Sequence, residues 1–289
     1  MNILSIIGNT PLVELTQLNS NPNVRIFAKL EGQNPGGSVK DRPAFNMISQ
    51  ALKRGDITPE SKLVEATSGN TGIGLAMVAN IYGLEMTLVM PADATPERIK
   101  TMKAYGANVV LTPAEKSIEY SRTYAQELVE TEGYFMINQF GNDDNWKAHY
   151  KTTGPEIWRD TKGQITHFVS AMGTTGTIMG VSTYLKEKNS DIQIVGVQPT
   201  DGSRIPGIRR WSPEFLPKIF DAKKVDRIID ISEQTATITM EQLANKASVF
   251  AGKSSGGAVA AAIQLSKELS EGVIVCIIPD RGDRYLSEW

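Results

Sequence analysis

Four short stretches of the sequence gather residue types that can do chemistry. Gly173-Thr-Thr-Gly-Thr177 follows an apolar run and opens a helical one, so backbone N–H groups and the positive end of the helix dipole converge there. Such a spot holds an anion, and three threonine hydroxyls with backbone amides suit a single phosphate. No lysine follows the last glycine, so this is not a Walker loop, and G-x-x-G-x-x-x-G departs from the dinucleotide fingerprint G-x-G-x-x-G. Ala66-Thr-Ser-Gly-Asn-Thr-Gly72 offers hydroxyls, an amide and N–H groups without charge. Converging neutral donors of that kind suit a carboxylate. Gly252-Lys-Ser-Ser-Gly-Gly257 enters an alanine-rich run, and its glycines let backbone approach another group closely. In Asn34-Pro-Gly-Gly-Ser-Val-Lys-Asp-Arg42, Lys40 falls at a helix start, where the dipole disfavours a cation and helps lower the pKa toward a nucleophilic amine. Each stretch also has a plain alternative. These are packing at 173–177 and 252–257, an N-cap by Ser68, Asn70 or Thr71, and a solvated surface lysine at position 40.

Elements of two kinds must position these turns. Strand-length apolar runs fall at 24–30, 62–66, 86–90, 108–111, 134–138, 166–170, 192–197, 227–231 and 273–278. Helical patterns fill 39–54, 71–82, 95–105, 117–131, 175–188, 237–247 and 256–269, several ended by glycine, as at Gly55, Gly83 and Gly106. The alternation predicts an α/β fold with mainly parallel sheets flanked by helices. The polar stretch Gly141-Asn-Asp-Asp-Asn145 is the one plausible mid-chain seam in the sequence. Residues 200–220, flanked and crossed by Pro199, Pro206, Pro213 and Pro217, form a long loop, and long ordered loops tend to be functional.

Composition narrows the classes. The chain has 289 residues with 30 Lys+Arg against 32 Asp+Glu, a net charge of −2, which gives nucleic acid or an anionic membrane no basic surface to hold. One cysteine and two histidines leave little room for a metal site and none for an intrachain disulfide. Cys276, inside Val273-Ile-Val-Cys-Ile-Ile278, reads as a core thiol. The first 24 residues carry no Lys or Arg and no apolar run approaches the ~18 residues of a membrane span, so a cytoplasmic chain is expected.

A lysine on a glycine-rich turn, a monophosphate cradle, a carboxylate nest and a serine-rich turn are together the parts of a pyridoxal phosphate enzyme acting on an amino acid. N-P-G-G-S-V-K-D-R, T-S-G-N-T-G, G-T-T-G-T and G-x-S-S-G-G, in this order, closely resemble the cysteine synthases, the O-acetylserine sulfhydrylases among the fold-type II pyridoxal phosphate enzymes. The likeness runs from Ile7-Gly-Asn-Thr-Pro-Leu-Val13 to Asp283-Arg-Tyr-Leu-Ser287. Ile205-Pro-Gly-Ile-Arg-Arg-Trp211 and Thr152-Thr-Gly-Pro-Glu-Ile-Trp158 look like the B isozymes, which accept thiosulfate as well as sulfide.

The resemblance implies two domains, a smaller one at 36–145 carrying the carboxylate loop and a larger one at 1–35 and 146–289 carrying the phosphate loop. It implies that Lys40 bonds pyridoxal 5'-phosphate, Asn70 meets its 3-hydroxyl, Gly173, Thr174, Thr175, Gly176 and Thr177 hold its phosphate, and Ser254 faces its ring nitrogen. Thr67, Ser68, Thr71 and Gln139 would bind the substrate carboxylate, and Arg210 the second, anionic substrate. His149 and His167 have no part in that scheme. Lys253, where a small apolar residue is usual, must point away from the ring or alter its electronics. The implied reaction is β-replacement on O-acetyl-L-serine by sulfide or thiosulfate, in a homodimer. A serine or threonine dehydratase, or a cystathionine β-synthase-like activity, is the alternative on the same architecture.

Overall fold

The computed structural model describes residues 1–67 and 69–288. Its strands and helices, in chain order, are β1 (Leu12–Glu14), β2 (Val24–Leu30), α1 (Asp41–Arg54), β3 (Lys62–Ala66), α2 (Asn70–Tyr82), β4 (Glu85–Pro91), α3 (Pro96–Ala104), β5 (Asn108–Thr112), α4 (Ser117–Glu132), β6 (Phe135–Met136), α5 (Asp143–Lys151), α6 (Thr153–Asp160), β7 (His167–Ala171), α7 (Gly176–Lys188), β8 (Gln193–Pro199), β9 (Arg227–Ile231), α8 (Glu233–Ala247), α9 (Lys253–Glu268) and β10 (Gly272–Ile278). The chain divides into two units: unit 1 is Met1–Ile7 with Lys40–Asn145, and unit 2 is Gly8–Val39 with Trp146–Trp289.

Unit 1 is built on a four-stranded parallel sheet of order β5-β4-β3-β6. A parallel sheet needs both faces covered, and successive residues of β3 serve opposite faces. Leu63 joins Met47 and Ile48 of α1 and Ile73 and Met77 of α2. Val64 and Ala66 join Ala125 and Leu128 of α4. Helix α2 is apolar on every side and buried from Thr71 through Ala79, as a helix sandwiched in a core must be. Residues Met1–Ile7 fall in this unit and not, as the sequence implied, in the larger one, because Leu4 and Ile7 pack on the core of α1 and α2. The crossing falls at Lys40 and not at 36, because Val39 N–H donates to Pro279 O at 2.7 Å and stays in unit 2.

Unit 2 carries a six-stranded sheet of order β1-β2-β10-β7-β8-β9, parallel except for β1 against β2. One face packs Val259, Ala262 and Leu265 of α9 with Ala236 and Leu243 of α8; the other packs Ile157 of α6 with Ile178, Val181 and Leu185 of α7. Cys276 is fully buried on the first of these faces, and burial pushes its thiol up to about 12. Lys29 is also fully buried, donating to Thr10 O at 2.6 Å and paired with Glu156 at 2.8 Å. Thr10 donates to Glu31, Asn34 donates to the other Glu31 oxygen, and Gly8 N–H donates to Asn34. This network and Arg284, which donates to Gly36 O, hold the glycine-rich stretch that precedes Lys40. Among the described residues no helix is long and apolar enough to cross a membrane.

Candidate active site

In unit 2 the central strand β7 runs into α7 through Met172–Thr175, at the carboxyl end of a parallel sheet where such folds bind ligands. Thr175 caps α7 with φ 71°, a left-handed conformation costly for a threonine. It is 4% exposed, and among the described residues its Oγ1 has no hydrogen-bond partner. A buried hydroxyl without a partner at a helix N-terminus is suited to an anion. Gly173 packs so closely that a β-carbon there would lie 2.8 Å from Gly207 O. The turn's carbonyls are engaged elsewhere, since Arg209 N–H donates to Met172 O at 2.9 Å and Trp211 Nε1–H to Gly173 O at 2.8 Å. Its Met172 and Gly173 acceptors are thus taken by the 205–211 segment, while the Thr175 hydroxyl has no partner among the described residues. Thr177 Oγ1 lies 3.3 Å from Nε2 of the buried His149, whose Nδ1 meets Thr153 Oγ1 at 2.8 Å. The phosphate of pyridoxal phosphate fits this turn.

Ser254 stands in the first turn of α9, buried, with its Cβ and Oγ 3.7 and 3.8 Å from the position of a β-carbon on Gly207. Gly207 links it to Gly173, so Ser254 and the turn lie on one side of unit 2. Ser255 is fully buried, and among the described residues its hydroxyl has no partner. Lys253 points to Glu233 of α8 at 3.2 Å. Arg210 is not brought to the turn. It donates to Pro199 O at 2.9 Å and pairs with Asp201 at 3.1 Å and Asp230 at 2.6 Å.

In unit 1, Lys40 caps α1 and its carbonyl accepts from Ala44 N–H at 3.0 Å. Gly74 of α2 sits against it: a β-carbon there would lie 3.2 Å from Lys40 O and 3.1 Å from Ala44 Cβ. That approach sets the start of α2, with Asn70 as its first residue, beside the start of α1. Thr71 Oγ1 donates to Gln139 Oε1 at 2.9 Å, both residues being buried. Thr67 N–H donates to Val89 O at 3.0 Å, and Thr67 Oγ1 accepts from Gly69 N–H at 3.4 Å. Ser68 lies outside the described residues.

Two residues of this scaffold, Trp211 and Glu65, escaped the sequence reading. Trp211 had a visible signal, an indole in a proline-rich loop, where only the adjacent arginines drew notice. Glu65 had one too, a carboxylate inside the apolar run Lys62-Leu-Val-Glu-Ala66. His149, which the resemblance leaves without a part, contacts Thr177 across two helices.

A buried hydroxyl without a partner on a glycine-rich turn at the carboxyl end of a parallel sheet suits the class of pyridoxal phosphate enzymes. The family model described as pyridoxal-phosphate dependent enzyme matches residues 3–280, and the chain belongs to that family. It is 56% identical over 285 residues to cysteine synthase B of Pseudomonas aeruginosa, covering 99% of this chain and 95% of that one. It is 52% identical to cysteine synthase B of Escherichia coli K12, covering 97% and 93%. The crystal structure of O-acetyl serine sulfhydrylase isoform 3 from Entamoeba histolytica superimposes with a TM-score of 0.93 at 40% identity, covering 99% of this chain and 90% of that one.

Proposed function

We infer that this chain is a cysteine synthase of the B type, using pyridoxal 5'-phosphate to replace the acetoxy group of O-acetyl-L-serine. Sulfide gives L-cysteine and thiosulfate gives S-sulfocysteine, with acetate as the other product. The observation that carries the reading is the phosphate turn, with its buried unpaired Thr175 hydroxyl, in a chain 56% identical to a cysteine synthase B. When bound, the cofactor supplies an electron sink for the substrate α-carbon.

The residues divide the remaining work. Gly173, Thr174, Thr175, Gly176 and Thr177 hold the phosphate and Asn70 the 3-hydroxyl. Ser254, a neutral partner for the ring nitrogen, keeps that sink weak, which favours prompt departure of acetate over transamination. Thr67, Ser68, Thr71 and Gln139 bind the substrate carboxylate. The Lys40 amine takes the α-proton as the C–O bond breaks and acetate leaves with the bonding pair; it returns the proton after sulfur adds at the β-carbon. Arg210 serves the second anion by leaving Asp201 and Asp230. Those pairs are exposed and worth about 0–1 kcal/mol each, so release costs little.

The smaller unit thus carries the carboxylate loop and the larger the phosphate turn. The family resemblance supports a homodimer, checked by light scattering, and a cytoplasmic setting, checked by fractionation. The activity itself is tested by rates with O-acetylserine, O-phosphoserine and serine against sulfide and thiosulfate. O-acetylserine with either sulfur donor is expected to turn over fastest. Pyruvate from serine alone, at comparable rate, would place the chain with the dehydratases. Lys40→Ala is expected to abolish turnover and the absorbance band near 410 nm expected of bound cofactor.

A further inference from the structure

A carboxyl buried in the middle of an apolar strand has to be hydrogen-bonded, or its burial costs several kcal/mol. Glu65 stands in β3 between Val64 and Ala66, is 3% exposed and is paired in register with Leu88 of β4. Its partners lie in the chain that follows β6. Gln139 N–H donates to Glu65 Oε2 at 3.3 Å, and Asn138 N–H and the Gln139 side-chain amide face this carboxyl closely enough to act on it as donors that lower its pKa. Three donors from two successive residues therefore face one group, the Gln139 N–H within hydrogen-bond distance.

These contacts orient the Gln139 amide. Its nitrogen faces Glu65, and its oxygen accepts from Thr71 Oγ1 at 2.9 Å. Gln139 O is taken by Asn145 Nδ2 at 2.7 Å. Asn138 has φ 58°, the left-handed conformation that asparagine tolerates better than most non-glycine residues. Arg122 of α4 acts on Glu65 as an opposite charge and also stacks on the ring of Phe140, the next residue along, at 5.1 Å. A leucine at 65 would suit the core formed by Leu63 and Leu88 at no desolvation cost. The carboxyl serves the 138–139 backbone and not the packing.

We propose that Glu65 is a positioning residue for the substrate-carboxylate loop: by accepting from Asn138 and Gln139 it fixes the backbone there, turns the Gln139 amide, and through that amide sets the Thr71 hydroxyl. The proposal rests on the assignment of Thr71 and Gln139 to the substrate carboxylate.

The test compares Glu65→Leu, Glu65→Gln, Gln139→Ala and the Glu65→Leu/Gln139→Ala pair in the cofactor-loaded enzyme. Its readouts are KM for O-acetylserine, kcat, and amide hydrogen exchange at 137–141. Glu65→Leu is expected to raise KM about tenfold, as loss of the hydrogen bond that holds the loop implies, with kcat within about twofold and faster exchange confined to 137–141. Glu65→Gln keeps one acceptor oxygen for three donors and is expected to raise KM about threefold, so it decides the matter if the leucine variant does not fold. The double variant is expected to add nothing to Gln139→Ala. Wild-type KM in a folded Glu65 variant while Gln139→Ala raises it overturns the proposal, as do additive effects, or parallel losses of kcat and protection throughout unit 1. A Gln139→Ala variant with unchanged KM instead overturns the carboxylate assignment, and the proposal with it.

Discussion

Replacing Thr175 by valine probes the phosphate turn with two readouts of opposite sign. The side chain is 4% exposed, and among the described residues its hydroxyl has no partner. A buried polar group in that state costs about 1–3 kcal/mol. Valine keeps the branched shape and the left-handed backbone at φ 71° while deleting the orphan oxygen, so the unloaded protein is expected to gain about 1–2 kcal/mol in urea unfolding. The loaded protein is expected to respond the other way. A hydroxyl donating to a charged phosphate is worth about 1.5–3 kcal/mol, so cofactor Kd should rise roughly 10- to 150-fold. The measurements are urea midpoints of the cofactor-free chain and fluorescence titration with pyridoxal phosphate. A cofactor-free variant less stable than wild type, together with an unchanged Kd, would refute the reasoning, because the hydroxyl would then be serving the fold.

Three further outcomes follow from the geometry. Burial raises the Glu65 carboxyl from 4.5 to about 7, so the folded chain keeps this proton where the unfolded chain has lost it. Its contribution is full below about pH 4.5 and is lost as pH rises toward 7, a span of about 3 kcal/mol that Glu65→Gln should remove from urea-unfolding curves taken between pH 5 and 8. Ser254→Asp, at the first turn of α9 where a carboxylate is favoured, is expected to slow elimination and let transamination products appear; unaltered kinetics would direct attention to Ser255. Arg210→Ala is expected to lower kcat/KM for thiosulfate about tenfold more than for sulfide, since only the larger anion has oxygens for the guanidinium fork. Equal losses would give the arginine a general role in placing its loop.

Much of the scaffold could be read from the chain because apolar periodicity is local. The strands at 24–30, 62–66 and 227–231 coincide with those observed, and the glycine turns stand at the ends of β3 and β7. The failures have local causes too. β1 has three residues, too few to show alternation, and is held by antiparallel pairing to β2. Helices α5 and α6 are short and mostly polar, and although the units do divide at Asn145, at the end of the polar seam, its aspartates also form the first turn of α5, where negative charge favours a helix. Pairings that span many residues left no trace: neither the Glu65 contact with Gln139 nor the Trp211 contact with Gly173 has a spacing to read.

The order of strands in the two sheets also dictates an order of assembly. In unit 1 the pairing partners β3, β4, β5 and β6 leave the ribosome within one stretch of chain, and their sheet closes through contacts of modest sequence separation. In unit 2, β2 pairs along its whole length with β10, Val24 with Gly272 through Leu30 with Ile278. One of the first strands synthesised must therefore wait for the last, with Ile26 and Ala28 uncovered and an edge open to other chains. Nascent chains lacking β10 are accordingly the species with this edge exposed, and the one whose aggregation the fold's topology favours.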